Sequence, residues 1–196
     1  MAPLFETIKS FKDVQINSDG VDTVNFLDAS DDLFGSKVFG FVQSDIRSNI
    51  SASFGVRTFF ENHQDSSQTL EELVKSEAAS GDQRKHGTAC LVRLLRGLAL
   101  TQGALKHMQD HPKEELHVCF KSAYDSVLKH HHAWVVRGVV YVAIRAVPYR
   151  QDFYQRISSG EPAEKFDPEL NSWLQALEEI ISRMKQFLEN GGYGRM

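Results

Sequence analysis

Two cysteines in 196 residues, Cys90 and Cys119, with no Cys-x-x-Cys spacing, argue against a disulfide framework. Such sparse usage fits buried thiols in a reducing compartment. Long apolar runs are also missing. The most apolar segment, 133–149, is cut by Arg137, Arg145 and Pro148, so it does not read as a membrane span. The opening residues, Met-Ala-Pro-Leu-Phe-Glu, lack the basic-then-apolar order of a secretory signal, and a cytoplasmic location is expected. There is no excess of positive charge. The net charge of −4 and isoelectric point near 6.1 give no basis for nucleic-acid binding. No GxSxG, GxxxxGK[ST], HExxH or GxGxxG is present, and the serines show no triad pattern. No catalytic residue is therefore assigned, and the chain does not read as an enzyme. His130, His131 and His132 are adjacent, and successive helical positions point about 100° apart. His107 and His111 have the i, i+4 spacing, but Pro112 and its turn are expected to displace His111. No metal site and no cofactor are expected. Sustained period-two alternation, the mark of half-buried strands, is absent as well.

What is present is helical. A hydrophobic content of 41% is enough for one domain, residues 1–196, with a substantial core. Phe5, Ile8 and Phe11 open a short helix, and Asn17-Ser-Asp-Gly20 is a turn signal. Asp22 is a candidate N-cap for a helix carrying Val24, Leu27 and Leu33, which Gly35 ends or bends. A helix from about Lys37 into the fifties has the apolar line Val38, Val42, Ile46, Ile50. Leu70–Ala79 is short. The segment from Gly87 to His107 is apolar on more than one face, which places it inside a layered helical domain. Another helix runs from Glu114 to Lys129, either continuing into the next stretch or kinking before it, with Pro112 compatible with its first turn. Tyr149–Ile157 is short, and Asp167-Pro168-Glu169 looks like the start of the last helix, which Gly191-Gly192 ends. The total is an all-α chain of about eight helices.

Three groups of residues carry a possible site. The stretch from Leu128 to Pro148 reads as one helix, with Leu128, His132, Val135, Val139, Val142 and Ala146 on one stripe. His132 is the polar member of that apolar line. A buried imidazole needs a hydrogen-bond partner, supplied either by the protein or by a ligand. Asp45 and Asn49, spaced i, i+4, leave the same helix face beside the apolar line. They are either a solvated helix edge or a polar pair aimed at a common point. Arg93 and Arg96 sit among small and apolar residues, where a guanidinium must reach the surface or find an acceptor.

Several pieces together resemble one family. Ser44-Asp45-Ile-Arg-Ser-Asn49-Ile, Leu94-Leu-Arg96-Gly97-Leu98, Tyr124 with Leu128-Lys-x-x-His132-Ala-Trp134, and Ala146-Val-Pro148-Tyr149-Arg-x-Asp-Phe153 are similar, in the same order, to the glycolipid transfer protein family. The likeness is greatest to its fungal heterokaryon-incompatibility members. It implies a two-layer sandwich of helices without a cofactor, in which the hydrocarbon chains of a ceramide lie between the layers. By matching position, Asp45 would bind the ceramide amide N–H and a sugar hydroxyl, Asn49 sugar hydroxyls, and His132 the amide carbonyl. Trp134 would lie near the membrane-facing mouth, and Tyr193 matches a tyrosine near the head-group site. Two positions depart from the family's glycolipid binders: Ala52 stands where they have lysine, and Arg93 where they have a tryptophan platform. The branch binding ceramide-1-phosphate has arginine at that platform position, with lysine where this chain has Asn49. The chain is also a few residues shorter between Phe26 and Phe41. The resemblance thus implies non-enzymatic transfer of a sphingolipid, most simply a glycosphingolipid, with transient peripheral membrane contact and a monomeric state. The alternatives are a ceramide-1-phosphate carrier using Arg93, helped by Arg96, and a lipid sensor or partner-binding protein that transfers nothing.

Overall fold

A computed structural model describes residues 2–51, 55–81 and 86–196, with backbone alone at 37 and 40–45. Among the described residues the regular structure is helical, and β pairing is limited to two isolated bridges, Ile16–Val21 and Asp22–Thr69. A one-turn helix, α1 (Leu4–Thr7), and a 3-10 turn at Phe11–Asp13 precede α2 (Thr23–Gly35). The Asp22 side chain caps α2 by accepting from the Asn25 N–H, as its position predicts. Then come α3 (Gly40–Ser51), α4 (Val56–Asn62) and α5 (Leu70–Ala79). Thr69 and Glu72 form a reciprocal capping box at the start of α5.

The long α6 (His86–Asp110) packs against α3, α4, α5, α7 (Leu116–Val127) and α10 (Ala163–Asn190). Both of its apolar sides are therefore covered. Leu91, Leu94, Leu95, Leu98 and Leu105 are fully buried on one, and Leu100 and Ala104 are buried on the other. Its N-terminal amides are satisfied from outside the helix. The buried Glu77 carboxylate accepts from Gly87 and Thr88 N–H, both at 2.7 Å. This is the favourable place for a negative charge. The helices stack in two layers. At one end Trp173 of α10 is sandwiched by Phe5 and Phe11, with ring centroids 4.6 and 5.3 Å away.

Four expectations need correction. The stretch Leu128–Pro148 is not one helix. Helix α7 stops at Val127, Lys129–His131 forms a 3-10 turn, and His132 is extended (φ −107°, ψ 136°). Helix α8 (Trp134–Arg145) then starts afresh. The break is held by Arg137 Nε, which donates to the His132 carbonyl at 2.8 Å, and by the Tyr124 hydroxyl against His132 Nδ1 at 3.1 Å. The supposed core stripe consequently faces outward: Val139 is 67% and Val142 70% exposed.

The last helix starts earlier than Asp167. Pro162 precedes its first turn, and Pro168 lies within α10. Proline there forgoes one backbone hydrogen bond. Neighbouring contacts offset that loss: Asp167 Oδ1 accepts from the Tyr154 hydroxyl at 2.5 Å, the Asp167 carbonyl accepts from Gln109, and Phe166 is buried. Burial, then Asp167, pushes the Tyr154 phenol well above its ordinary range.

Pro112 does not enter α7, whose N-cap is Glu115. Nor does Pro112 displace His111. Its backbone N–H still reaches the His107 carbonyl at 2.9 Å, and the two rings stack at 4.0 Å. Between α8 and α10 runs α9 (Arg150–Ser158), with Tyr149 as its N-cap.

Candidate functional site

A cavity of about 290 Å³ opens where α3, α6, α7 and α8 meet. Ile46, Gly97, Leu100 and Phe120 supply one side, and Val136, Val140, Ala143 and Ile144 of α8 supply the other. Gly97 lies on α6 where Ile46 of α3 packs against it. A Cβ there would sit 3.0 Å from Ile46 Cδ1, so the bare backbone both admits the crossing and leaves the wall open. Leu128 and His132 complete the lining from the α7–α8 connection. Among the described residues His132 is the one polar side chain that lines this cavity. The sequence placed it in an apolar line on a helix; the structure places it at an apolar cavity from an extended connection.

The other predicted residues fall around this cavity unequally. Asn49 is buried on α3, one turn beyond Ile46. Asp45 belongs to the same helix, but its side chain, like the whole of Ala52, lies outside the described residues. Arg93 is exposed on α6, one turn before Gly97. Arg96 is half-buried. Its Nη2 donates to the Arg195 carbonyl at 2.5 Å, while its buried Nε has no partner among the described residues. Burial, and then Arg93, lowers this guanidinium's pKa from its ordinary value. His131 Nε2 is likewise buried without a partner, and burial followed by the Arg96 charge depresses that imidazole. Among the described residues, two buried nitrogens without partners, Arg96 Nε and His131 Nε2, therefore lie close to the Arg93 and Arg96 charges. Tyr193 is turned elsewhere. Its ring stacks on Phe187 and lines a separate groove with Glu71 and Arg183.

Residues 21–159 match the glycolipid transfer protein (GLTP) family. A glycolipid transfer protein of Aureobasidium melanogenum is 35% identical over 192 residues, spanning 94% of this chain and 92% of that protein. The crystal structure of HET-C2, a fungal glycolipid transfer protein, superposes with a TM-score of 0.83 at 33% identity, over 95% of this chain and 96% of that one. The chain belongs to the glycolipid transfer protein family. Its members are lipid transfer proteins rather than enzymes. The human ceramide-1-phosphate transfer protein, in complex with 12:0 ceramide-1-phosphate, has the same fold. It aligns at a TM-score of 0.83 and 18% identity over 98% of each chain.

For a member of this family, two features of the site were not read from the sequence. The first is the outer face of α8. Trp134 is 83% exposed, and Val135, Val139, Val142 and Tyr149 join it in an apolar surface. The same helix thus lines the cavity with one face and offers hydrocarbon to the surroundings with the other. The signal was available: Val135, Val136, Val139, Val140 and Val142 spread apolar positions over more than one face of α8, leaving Arg137, Tyr141 and Arg145 as its single polar side.

The second feature is the set of contacts behind His132. Tyr124, fully buried on α7, meets His132 Nδ1, and its ring packs edge-on against Tyr141 of α8 at 5.5 Å. The Tyr141 hydroxyl donates to Asp125 Oδ1 at 2.8 Å. Lys121, Lys129 and Tyr141 hold the Asp125 carboxyl well below the usual carboxylate range. No described helix is long and apolar enough to cross a membrane. One group of potential metal ligands comes together away from the cavity, His107, Glu114 and the buried Cys119. Each donor there has an internal partner: His107 Nε2 pairs with Glu114 at 2.8 Å, and the Cys119 thiol donates to the Glu115 carbonyl.

Proposed function

We propose that this chain carries one ceramide-based sphingolipid at a time between membranes without altering it chemically. The observation that carries this reading is the apolar cavity whose single polar lining residue among those described is His132. Burying an acyl chain contributes about 0.8 kcal/mol per methylene, on the order of 10 kcal/mol for one long chain. A neutral head-group hydrogen bond adds only about 1 kcal/mol. The cavity therefore supplies affinity, and the polar residues around it choose the lipid. In this reading Asp45 and Asn49 bind the amide N–H and sugar hydroxyls, His132 binds the amide carbonyl, and Arg93 lies under the head group.

Trp134, Val139 and Val142 rest in the bilayer interface while the lipid enters, an arrangement suited to an aromatic ring with one polar atom. Contact is transient, since a net charge of −4 draws little help from anionic lipids. The carrier works in the cytoplasm as a monomer, with residues 1–196 as one domain.

A phosphate head group is the second reading, favoured by one observation: beside Arg93 on α6, the buried Nε of Arg96 has no acceptor among the described residues. Arginine forks a phosphate well. Vesicle-to-vesicle transfer of galactosylceramide, lactosylceramide and ceramide-1-phosphate separates the two. Galactosylceramide should move fastest, and Arg93→Trp should widen its lead. His132→Leu should abolish transfer while circular dichroism stays helical. Wild-type rates in that variant would refute the assignment. A protein that retains sphingolipid through purification but transfers none in the panel would be a sensor.

A further inference from the structure

In a continuous helix, residues eight apart stand about 12 Å from each other along the axis. Tyr124 and His132 are eight apart, yet hydroxyl and Nδ1 are 3.1 Å apart. The helix break at Lys129–His131 makes that contact possible. Tyr124 is fully buried, four residues after the nearly fully buried Phe120 on the same helix. A phenylalanine would fill such a place without a polar atom to satisfy, so the hydroxyl needs a reason. Among the described residues its one hydrogen-bonding partner is His132 Nδ1. A buried hydroxyl must give its proton to an acceptor. Nδ1 accepts only when it carries no hydrogen, and a neutral imidazole then holds its proton on Nε2. The Nδ1–H tautomer, and equally the imidazolium, would donate to the phenol oxygen and leave the phenol hydrogen without an acceptor among the described residues. The edge-on Tyr141 ring keeps Tyr124 from swinging away.

We propose that Tyr124 is a positioning residue that fixes His132 as its Nε2–H tautomer, so that the cavity presents a hydrogen-bond donor matched to the amide carbonyl of an acylated sphingoid base. This rests on the carrier reading above and adds to it the residue that sets the polarity of the contact. Whatever meets Nε2 meets a donor, and groups that offer only N–H are turned away.

The test uses the full chain with ¹⁵N-labelled histidine. Long-range ¹H–¹⁵N spectra of the wild type should show the His132 proton on Nε2, and Tyr124→Phe should show a mixture of tautomers. Partition of pyrene-labelled galactosylceramide from phosphatidylcholine vesicles should weaken on the order of fivefold in the variant. A wild-type proton on Nδ1 overturns the proposal, and that spectrum needs no variant to fold. So does a variant whose tautomer is unchanged, or one whose tautomer changes while its affinity does not. Wild-type protein that takes up no sphingolipid brings down the carrier reading. Wild-type uptake matched by Tyr124→Phe brings down only the role of Tyr124.

Discussion

At Gly97 a missing side chain does more than any side chain nearby. Ile46 lies where a Cβ would be crowded, at 3.0 and 3.1 Å from its Cδ1 and Cγ1. Gly97→Leu should push isobutyl carbons into the cavity and cut sphingolipid transfer by at least tenfold. Overpacking costs about 1–3 kcal/mol, so the thermal midpoint should fall by no more than about 10 °C. Gly103 on the same helix is the control. A Cβ there meets Ala123 at an ordinary 3.5 Å, and Gly103→Ala should leave transfer intact and raise the midpoint slightly. Equal loss of transfer in both variants would show that α6 responds to any added carbon and that the cavity is not the cause. Part of this site was legible from residues alone. His132 stood out as a polar ring among apolar neighbours, and Asn49 as half of a same-face pair. Tyr124 did not, because its contact depends on a bend whose position no spacing rule gives.

Among the elements, α2, α5, α6 and α9 follow from caps, breakers and apolar periodicity, with ends within a few residues. The failures have one kind of cause. Two amphipathic helices in series keep a common period across a break, so Leu128–Pro148 reads as continuous although α7 ends at Val127. Pro168 reads as a first turn because the contacts that tolerate it inside α10, from Tyr154 and Gln109, come from other elements. The same long-range logic attaches α8. Ile144 is its one buried residue, and the helix leans on α7 through Tyr141 and Asp125. Asp125 has its pKa depressed in the folded chain by Lys121, Lys129 and Tyr141, so its contribution is complete above the ordinary carboxylate range. It is lost as pH falls through the lower, folded value. Asp125→Asn should therefore lower the thermal midpoint at pH 7, and the gap to wild type should close as pH drops below about 4. Calorimetry at pH 7, 4 and 3 reads this directly. A gap that is constant across that range would mean that the carboxylate charge does not hold α8.

For the molecule as a whole, the two layers are joined through α6, with the cavity lying between α6 and α8. At about 290 Å³ it is at the lower edge of ligand pockets, so a two-chain lipid must widen it. On the carrier reading the wall expected to give is α8, the wall with the fewest buried residues among those described. A lipid there would add hydrocarbon contact and tie α8 to both layers at once. A lipid that binds the folded chain and not the unfolded one would turn its binding energy into folding energy. At a hundredfold excess over Kd this amounts to about 2.7 kcal/mol. For a chain of this length the thermal midpoint should rise by about 5–10 °C. Galactosylceramide in phosphatidylcholine vesicles should produce that rise, and phosphatidylcholine alone should not, since its ester-linked chains lack the amide that the proposed site residues would address. Hydrogen exchange on the same samples should show the gain in protection concentrated in α8 and in the Lys129–His132 turn. A uniform gain across all helices would place the lipid outside the cavity, on the surface of the protein.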